Sequence, residues 1–125
     1  MKILRGGVTT PKGFKANGLS AGIKKSGKPD LGLIVSVVPA VGAARFTKNS
    51  VKAAPVLVAQ KHIRHSHTQA FIVNSGNANC FTGKFGLLYA EQTTEIIGKL
   101  LRIPKQTIIV SSTGIIGKPL PFVKI

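Results

Sequence analysis

Two short apolar runs, residues 70–73 and 107–110, bracket a helical stretch, and each gives way abruptly to small polar residues. No other feature of this 125-residue chain restricts its folding as strongly. The β-branched run 107–110 predicts a buried strand. It is expected to break at Ser111-Ser112-Thr113-Gly114. The run 70–73 is likewise expected to stop at Asn74-Ser75-Gly76-Asn77-Ala78-Asn79, because asparagine and glycine cap, turn and accept left-handed backbone. Between the runs, Leu87, Ala90, Thr94, Ile97 and Leu101 recur at three- and four-residue steps. That spacing predicts a helix over residues 84–101 with one core-facing stripe, and Pro104 prevents its continuation.

Strand, polar loop, helix, strand, polar loop is a βαβ-like series and implies an α/β fold. If the two strands are parallel neighbours, both polar tips open on one edge of the sheet, where open α/β sheets hold ligands. The N–H groups and hydroxyls of Ser112-Thr113-Gly114 suit an anion or a developing oxyanion. The plainer alternative is a strand exit with glycine starting a turn.

The remaining segments are shorter. Residues 6–18 form a turn-rich opening, with Pro11, Gly13 and Gly18 as bends: a surface connection, or a loop lining a site. Residues 22–30 predict a strand end and a basic hairpin turn, whose Lys24, Lys25 and Lys28 are a solvated group or a phosphate contact. The almost wholly apolar run 31–38 fits a strand buried on both faces and ended by Pro39. Residues 43–51 are expected to be extended. Pro55 is placed to open a short helix reaching about Ile63, with a strand as the alternative.

Composition removes several function classes. The only carboxylates are Asp30, Glu91 and Glu95, the glutamates four apart on the predicted helix, which argues against a paired-carboxylate hydrolase. His62, His65 and His67 are close in sequence, but flanking Lys61 and Arg64 repel a cation and no Cys or carboxylate lies near, so a solvated loop is expected and no metal site. Cys80 is the single cysteine, so no intrachain disulfide forms, and an inert packed thiol is expected rather than a nucleophile. No apolar run is long enough to span a membrane, and the opening residues 1–7 lack a signal core, which together predict a cytoplasmic protein. The formal charge of +15 fits nucleic acid or an acidic partner. The basic residues are scattered, however, and one Tyr, six Phe and no Trp make a poor stacking platform.

Four segments occur in one order: Gly7-Val8-Thr9-Thr10-Pro11-Lys12-Gly13-Phe14, Lys52-Ala53-Ala54-Pro55-Val56, Val73-Asn74-Ser75-Gly76-Asn77-Ala78-Asn79, and Ser112-Thr113-Gly114-Ile115-Ile116-Gly117 followed by Leu120-Pro121. Together they resemble the N-terminal part of the α chain of the ornithine acetyltransferase family, also called glutamate N-acetyltransferase, of arginine biosynthesis. The resemblance implies an αββα-type layered fold, incomplete in residues 1–125, which form a single partial domain. It implies a precursor that cleaves itself before a threonine into α and β chains that stay together as a hetero-oligomer. The freed threonine takes the acetyl group of N-acetylornithine and passes it to glutamate. No cofactor is implied, although some members also accept acetyl-CoA as a donor.

The family's oxyanion hole maps onto the Thr113 hydroxyl and the Gly114 backbone N–H. The substrate-binding residues and the nucleophile map mostly beyond Leu120-Pro121, so this chain alone is expected to be inactive. Val37-Val38-Pro39-Ala40 lacks the family's acidic residue before Pro-Ala, and Asn79-Cys80-Phe81-Thr82-Gly83 differs from the usual Asn-Ala-Cys-Thr-Gly order. Two other functions stand beside this one: a free-standing basic nucleic-acid-binding module, and a fold relative acting as an aminopeptidase with a serine nucleophile. Thr113→Ala or Gly114→Ala is expected to slow acetyl transfer and leave assembly intact.

Overall fold

The computed structural model describes residues 5–125; of the N-terminal stretch read for a signal core, residues 1–4 lie outside the described residues. Four strands form one sheet in the order β1 (Phe14–Leu19), β2 (Leu31–Ala40), β3 (Thr68–Asn77), β4 (Ile108–Ile115). The first three are antiparallel, and β3 and β4 are parallel neighbours. The parallel pair needs a crossover, which α2 (Gly83–Leu101) supplies. The predicted βαβ unit is therefore present. β1 arises inside the stretch expected to be turns: its Phe14-Lys15-Ala16-Asn17 segment pairs with residues 33–36 of β2, so ladder bonds outweigh a glycine-rich composition.

The helices α1 (Ala54–His62) and α2 cover the same face of the sheet. Along a strand, alternate side chains share a face, and Ala70 and Ile72 of β3 join Ile108 and Val110 of β4 in one cluster with Ala54, Val58, Ala90 and Ile97 of the helices. Ile108 is fully enclosed there. Burying a side chain of that size stabilises by about 1.5–3 kcal/mol. α1 is a helix rather than a strand, with Pro55 in its first turn, as the missing proline N–H allows. His62 closes it, buried, with Nδ1–H donating to the carbonyl of Ile108 at 2.8 Å.

Three expectations fail for identifiable reasons. The stripe of α2 is rotated: Gly86, Ala90, Thr93, Thr94, Ile97 and Gly98 are buried, while Leu87 is exposed and Leu101 only half-buried. Small residues let α2 sit close, and the threonine hydroxyls are satisfied inside the helix, Thr93 on the Tyr89 carbonyl and Thr94 on the Glu91 carbonyl, each at 2.8 Å. The run 31–38 is not buried on both faces: Val37 and Val38 are 52% and 60% exposed. The strand does not end at Pro39 either, reaching Ala40 after an irregularity between Val35 and Ala40, where proline cannot donate a ladder bond. Residues 41–49 carry no regular element.

The fold class is α/β, as expected. Among the described residues one helical layer lies on one sheet, whereas an αββα arrangement needs a second sheet and a second helical layer.

Candidate functional site

The polar residues that were expected to end β3 and β4 are paired within them. Asn74 stands opposite Ser112, Ser75 opposite Thr113 and Gly76 opposite Gly114. Neither strand breaks at its first polar residue; each continues to Asn77 and Ile115. Thr113 and Gly114 therefore belong to the body of β4 and not to a loop beyond it, though both are exposed. The two polar ends do lie together at one edge of the sheet, as the parallel arrangement requires.

At Asn77 the register shifts, and this residue faces both Thr113 and Ile115. The irregularity presses Gly114 against its neighbour strand. Gly114 has φ 132°, and a Cβ there would lie 2.6 Å from the Asn77 nitrogen, 2.8 Å from the Gly76 Cα and in collision with the Gly76 carbonyl carbon. Only glycine combines that dihedral with that approach. A side chain at Gly114 therefore disturbs the local pairing of β4 with β3, and Thr113 is the cleaner probe.

Three buried carboxamides hold this end, alongside the buried Leu120. Asn74 Nδ2 donates to the Asn77 carbonyl at 2.9 Å. Asn77 Nδ2 donates to the carbonyls of Lys118 and Pro119 at 3.1 and 3.0 Å, while its Oδ1 accepts from the Asn79 N–H at 2.8 Å. Asn79, left-handed at φ 46° as asparagine tolerates, donates from Nδ2 to the Gly86 carbonyl at 2.9 Å and accepts from the Thr82 hydroxyl at 2.8 Å. Among the described residues no buried side-chain nitrogen or oxygen lacks a partner. The sequence showed the asparagines as turn formers; the bonding of Asn77 to carbonyls about forty residues away was not legible.

Gly76 and Gly114 form part of the wall of a cavity of about 570 Å³, shared with Lys24, Lys25, Ser26 and Lys118. The basic turn is thus no independent solvated hairpin. Asp30 holds it in place: one carboxylate oxygen accepts from the Ala21 N–H and the other from the Lys24 N–H, both at 2.7 Å. The Lys24 N–H bond, opposed by burial, keeps the Asp30 carboxyl below its usual value of 3.8. The Asp30 carbonyl then accepts from Ser75 N–H at 2.8 Å, joining the turn to the polar end of β3. With Asp30 so engaged, and Glu91 and Glu95 paired on α2 with Lys61, Lys99 and Lys105, no carboxylate lines the cavity. Its charge is positive, which suits anionic ligands.

The residues after β4 are anchored around the same point. Gly117 N–H donates to the Cys80 carbonyl at 2.8 Å, Leu120 is buried, and Phe122 stacks on Tyr89 with centroids 4.8 Å apart. Lys124 Nζ donates to the Gly22 carbonyl at 2.6 Å. Cys80 itself is a half-buried thiol. The histidines part company: His62 faces the core, not solvent, while His65 and His67 are exposed. Among the described residues no group of His, Cys, Asp and Glu is placed to hold a metal ion. Among the described residues no helix is long and apolar enough to cross a membrane.

Comparison with known proteins places this geometry. The ArgJ family matches residues 15–125. The arginine biosynthesis bifunctional protein ArgJ of Syntrophotalea carbinolica is 54% identical over 109 residues, covering 87% of this chain and 28% of that protein. The crystal structure of the protein of that name from Bacillus halodurans superposes with a TM-score of 0.91 at 45% identity, covering 95% of this chain and 62% of that one. The ornithine acetyltransferase of Mycobacterium tuberculosis, solved in complex with ornithine, gives 0.90 at 43% identity, covering 94% and 64%. The chain spans 28% to 31% of the length of the curated relatives it matches.

Proposed function

The chain belongs to the ArgJ family, and from that premise we propose that it is the N-terminal portion of an acetyltransferase of arginine biosynthesis, supplying the oxyanion hole but not the nucleophile. The observation carrying this reading is the exposed Thr113-Gly114 pair on β4, with Gly114 pressed flush against Gly76 and Asn77 at the wall of the cationic cavity. A flush glycine leaves room for a reacting carbonyl to come close to the backbone.

The nucleophile is a threonine at the start of a β chain cut from the same precursor, its own freed amine acting as base. Its oxygen attacks the acetyl carbonyl of N-acetylornithine. Negative charge builds on the carbonyl oxygen, where the Thr113 hydroxyl and the Gly114 N–H donate to it. Collapse of the tetrahedral species expels ornithine, whose nitrogen takes up the proton, and leaves acetyl-threonine. The amine of glutamate then attacks this ester, forming N-acetylglutamate and restoring the threonine hydroxyl. The proton balance closes without a metal or prosthetic group.

In the complete protein, Thr113→Val removes the hydroxyl and keeps the side-chain shape. Turnover of N-acetylornithine is expected to fall by about a hundredfold or more, with precursor cleavage and α–β assembly preserved on a denaturing gel and by gel filtration. Unchanged turnover removes Thr113 from the site. The 125-residue chain alone is expected to show no acetyl transfer.

A further inference from the structure

We propose that Asn77 is a positioning residue of the acyl-transfer site: its carboxamide clamps the chain beyond Gly114 and so fixes the direction of the Gly114 peptide. The inference rests on the oxyanion reading of Thr113 and Gly114 and adds the residue that holds them.

The geometry is that of a clamp. Asn77 is 2% exposed, and it faces Thr113 on one side of Gly114 and Ile115 on the other. Its own backbone nitrogen is among the atoms against which Gly114 packs. From this place its side chain reaches past Gly114 to the carbonyls of Lys118 and Pro119. Residues 114–119 are therefore a short arch pinned at both ends by one residue, by backbone pairing at the start and by the carboxamide at the finish. Two further bonds brace the arch, from Ala78 N–H to the Ile115 carbonyl at 2.9 Å and from Gly117 N–H to the Cys80 carbonyl at 2.8 Å.

Only a carboxamide fits both halves of the task. The Nδ2 donors meet two carbonyls, which accept only, while Oδ1 meets the Asn79 N–H, which donates only. Aspartate keeps the acceptor and loses the donors. With the two bracing backbone bonds, these side-chain bonds resist rotation of the Gly114 peptide. A donor displaced by about 1 Å from a reacting oxygen can cost on the order of a hundredfold in rate.

The test uses the complete, self-cleaved protein, with single-turnover acylation of the threonine by N-acetylornithine followed by mass spectrometry. Rates are normalised to the fraction of chains that become acetylated, so that loss of folded protein does not count as loss of rate. Asn77→Asp is expected to slow acylation by about tenfold or more, to leave the concentration for half-maximal rate within about twofold, and to recover relative to the parent measured at the same pH as pH falls, because a protonated carboxyl regains a donor. Ile97→Val, in the core away from the site, is the control: it lowers melting temperature and leaves the normalised rate unchanged. Thr113→Val is run alongside. If it slows acylation and Asn77→Asp does not, the clamp is refuted and the oxyanion site stands; if Thr113→Val has no effect, the site and the clamp fall together. Should Asn77→Asp not accumulate, Asn77→Ser retains a short acceptor and cannot reach the two carbonyls. A normal normalised rate in that variant equally overturns the proposal.

Discussion

The two halves of the β3–β4 pair share one ladder and are stabilised by unlike forces. At the first half, Ala70, Ile72, Ile108 and Val110 lie beneath the helices in a continuous apolar cluster. At the second, Asn74, Asn77 and Asn79 are just as buried but are held by directed bonds to named carbonyls. Apolar packing is nearly indifferent to small rotations, because many contacts change a little; a hydrogen bond is lost beyond a narrow range of distance and angle. The first half therefore supplies stability and the second supplies orientation, which is what a site needs from its frame.

The sharpest break is expected at the directed end. Gly114→Ala combines a strained dihedral of about 1–3 kcal/mol with a steric term of about 1–3 kcal/mol, some 4 kcal/mol together, and removes activity with it. Chemical denaturation checks the stability, and a loss below about 1 kcal/mol would show that the register at Asn77 can shift freely to admit a side chain.

The matching change at the apolar end is smaller. Ile108→Val removes one methylene from a fully enclosed site and is expected to cost about 1 kcal/mol, with acetyl transfer per folded molecule unchanged. If that variant instead slows catalysis as much as it destabilises, the division between a stabilising half and an orienting half does not hold.

The smallest effect is a pH dependence of the apolar end. Burial holds His62 below the ordinary imidazole value of 6.5, opposed by its bond to the Ile108 carbonyl and reinforced by the charges of Lys61 and His65, with Glu91 opposing. The folded protein thus binds fewer protons at this residue than the unfolded chain. Its contribution is complete above pH 6.5 and declines as pH falls below that value towards the lower folded pKa. Melting temperature followed from pH 8 to pH 5 tests this, and His62→Gln is expected to flatten the acid limb in that interval relative to the parent.

Much of the architecture was legible in the residues. Periodicity placed α2 to within one residue, proline placed the start of α1, and the order of elements implied the parallel pair that α2 connects. The segments carrying Thr113 and Gly114 led to a family that the comparisons show. Several of the differences share one cause: polar and small residues do not end structure in this chain. β3 and β4 run on through such residues, and α2 turns its glycines and threonines, not Leu87, to the core.

By itself, then, the sequence determined the α/β class and the strand–helix–strand unit, because apolar spacing, proline and β-branching act locally. Only the tertiary structure decided that Gly114 admits no side chain, that Asp30 brings the Lys24–Lys25 turn beside it, and that Asn77 reaches the carbonyls of Lys118 and Pro119. Each of these joins residues distant in the chain through a directional contact, and a polar side chain's partner is fixed by where the fold brings the backbone, not by its neighbours in sequence.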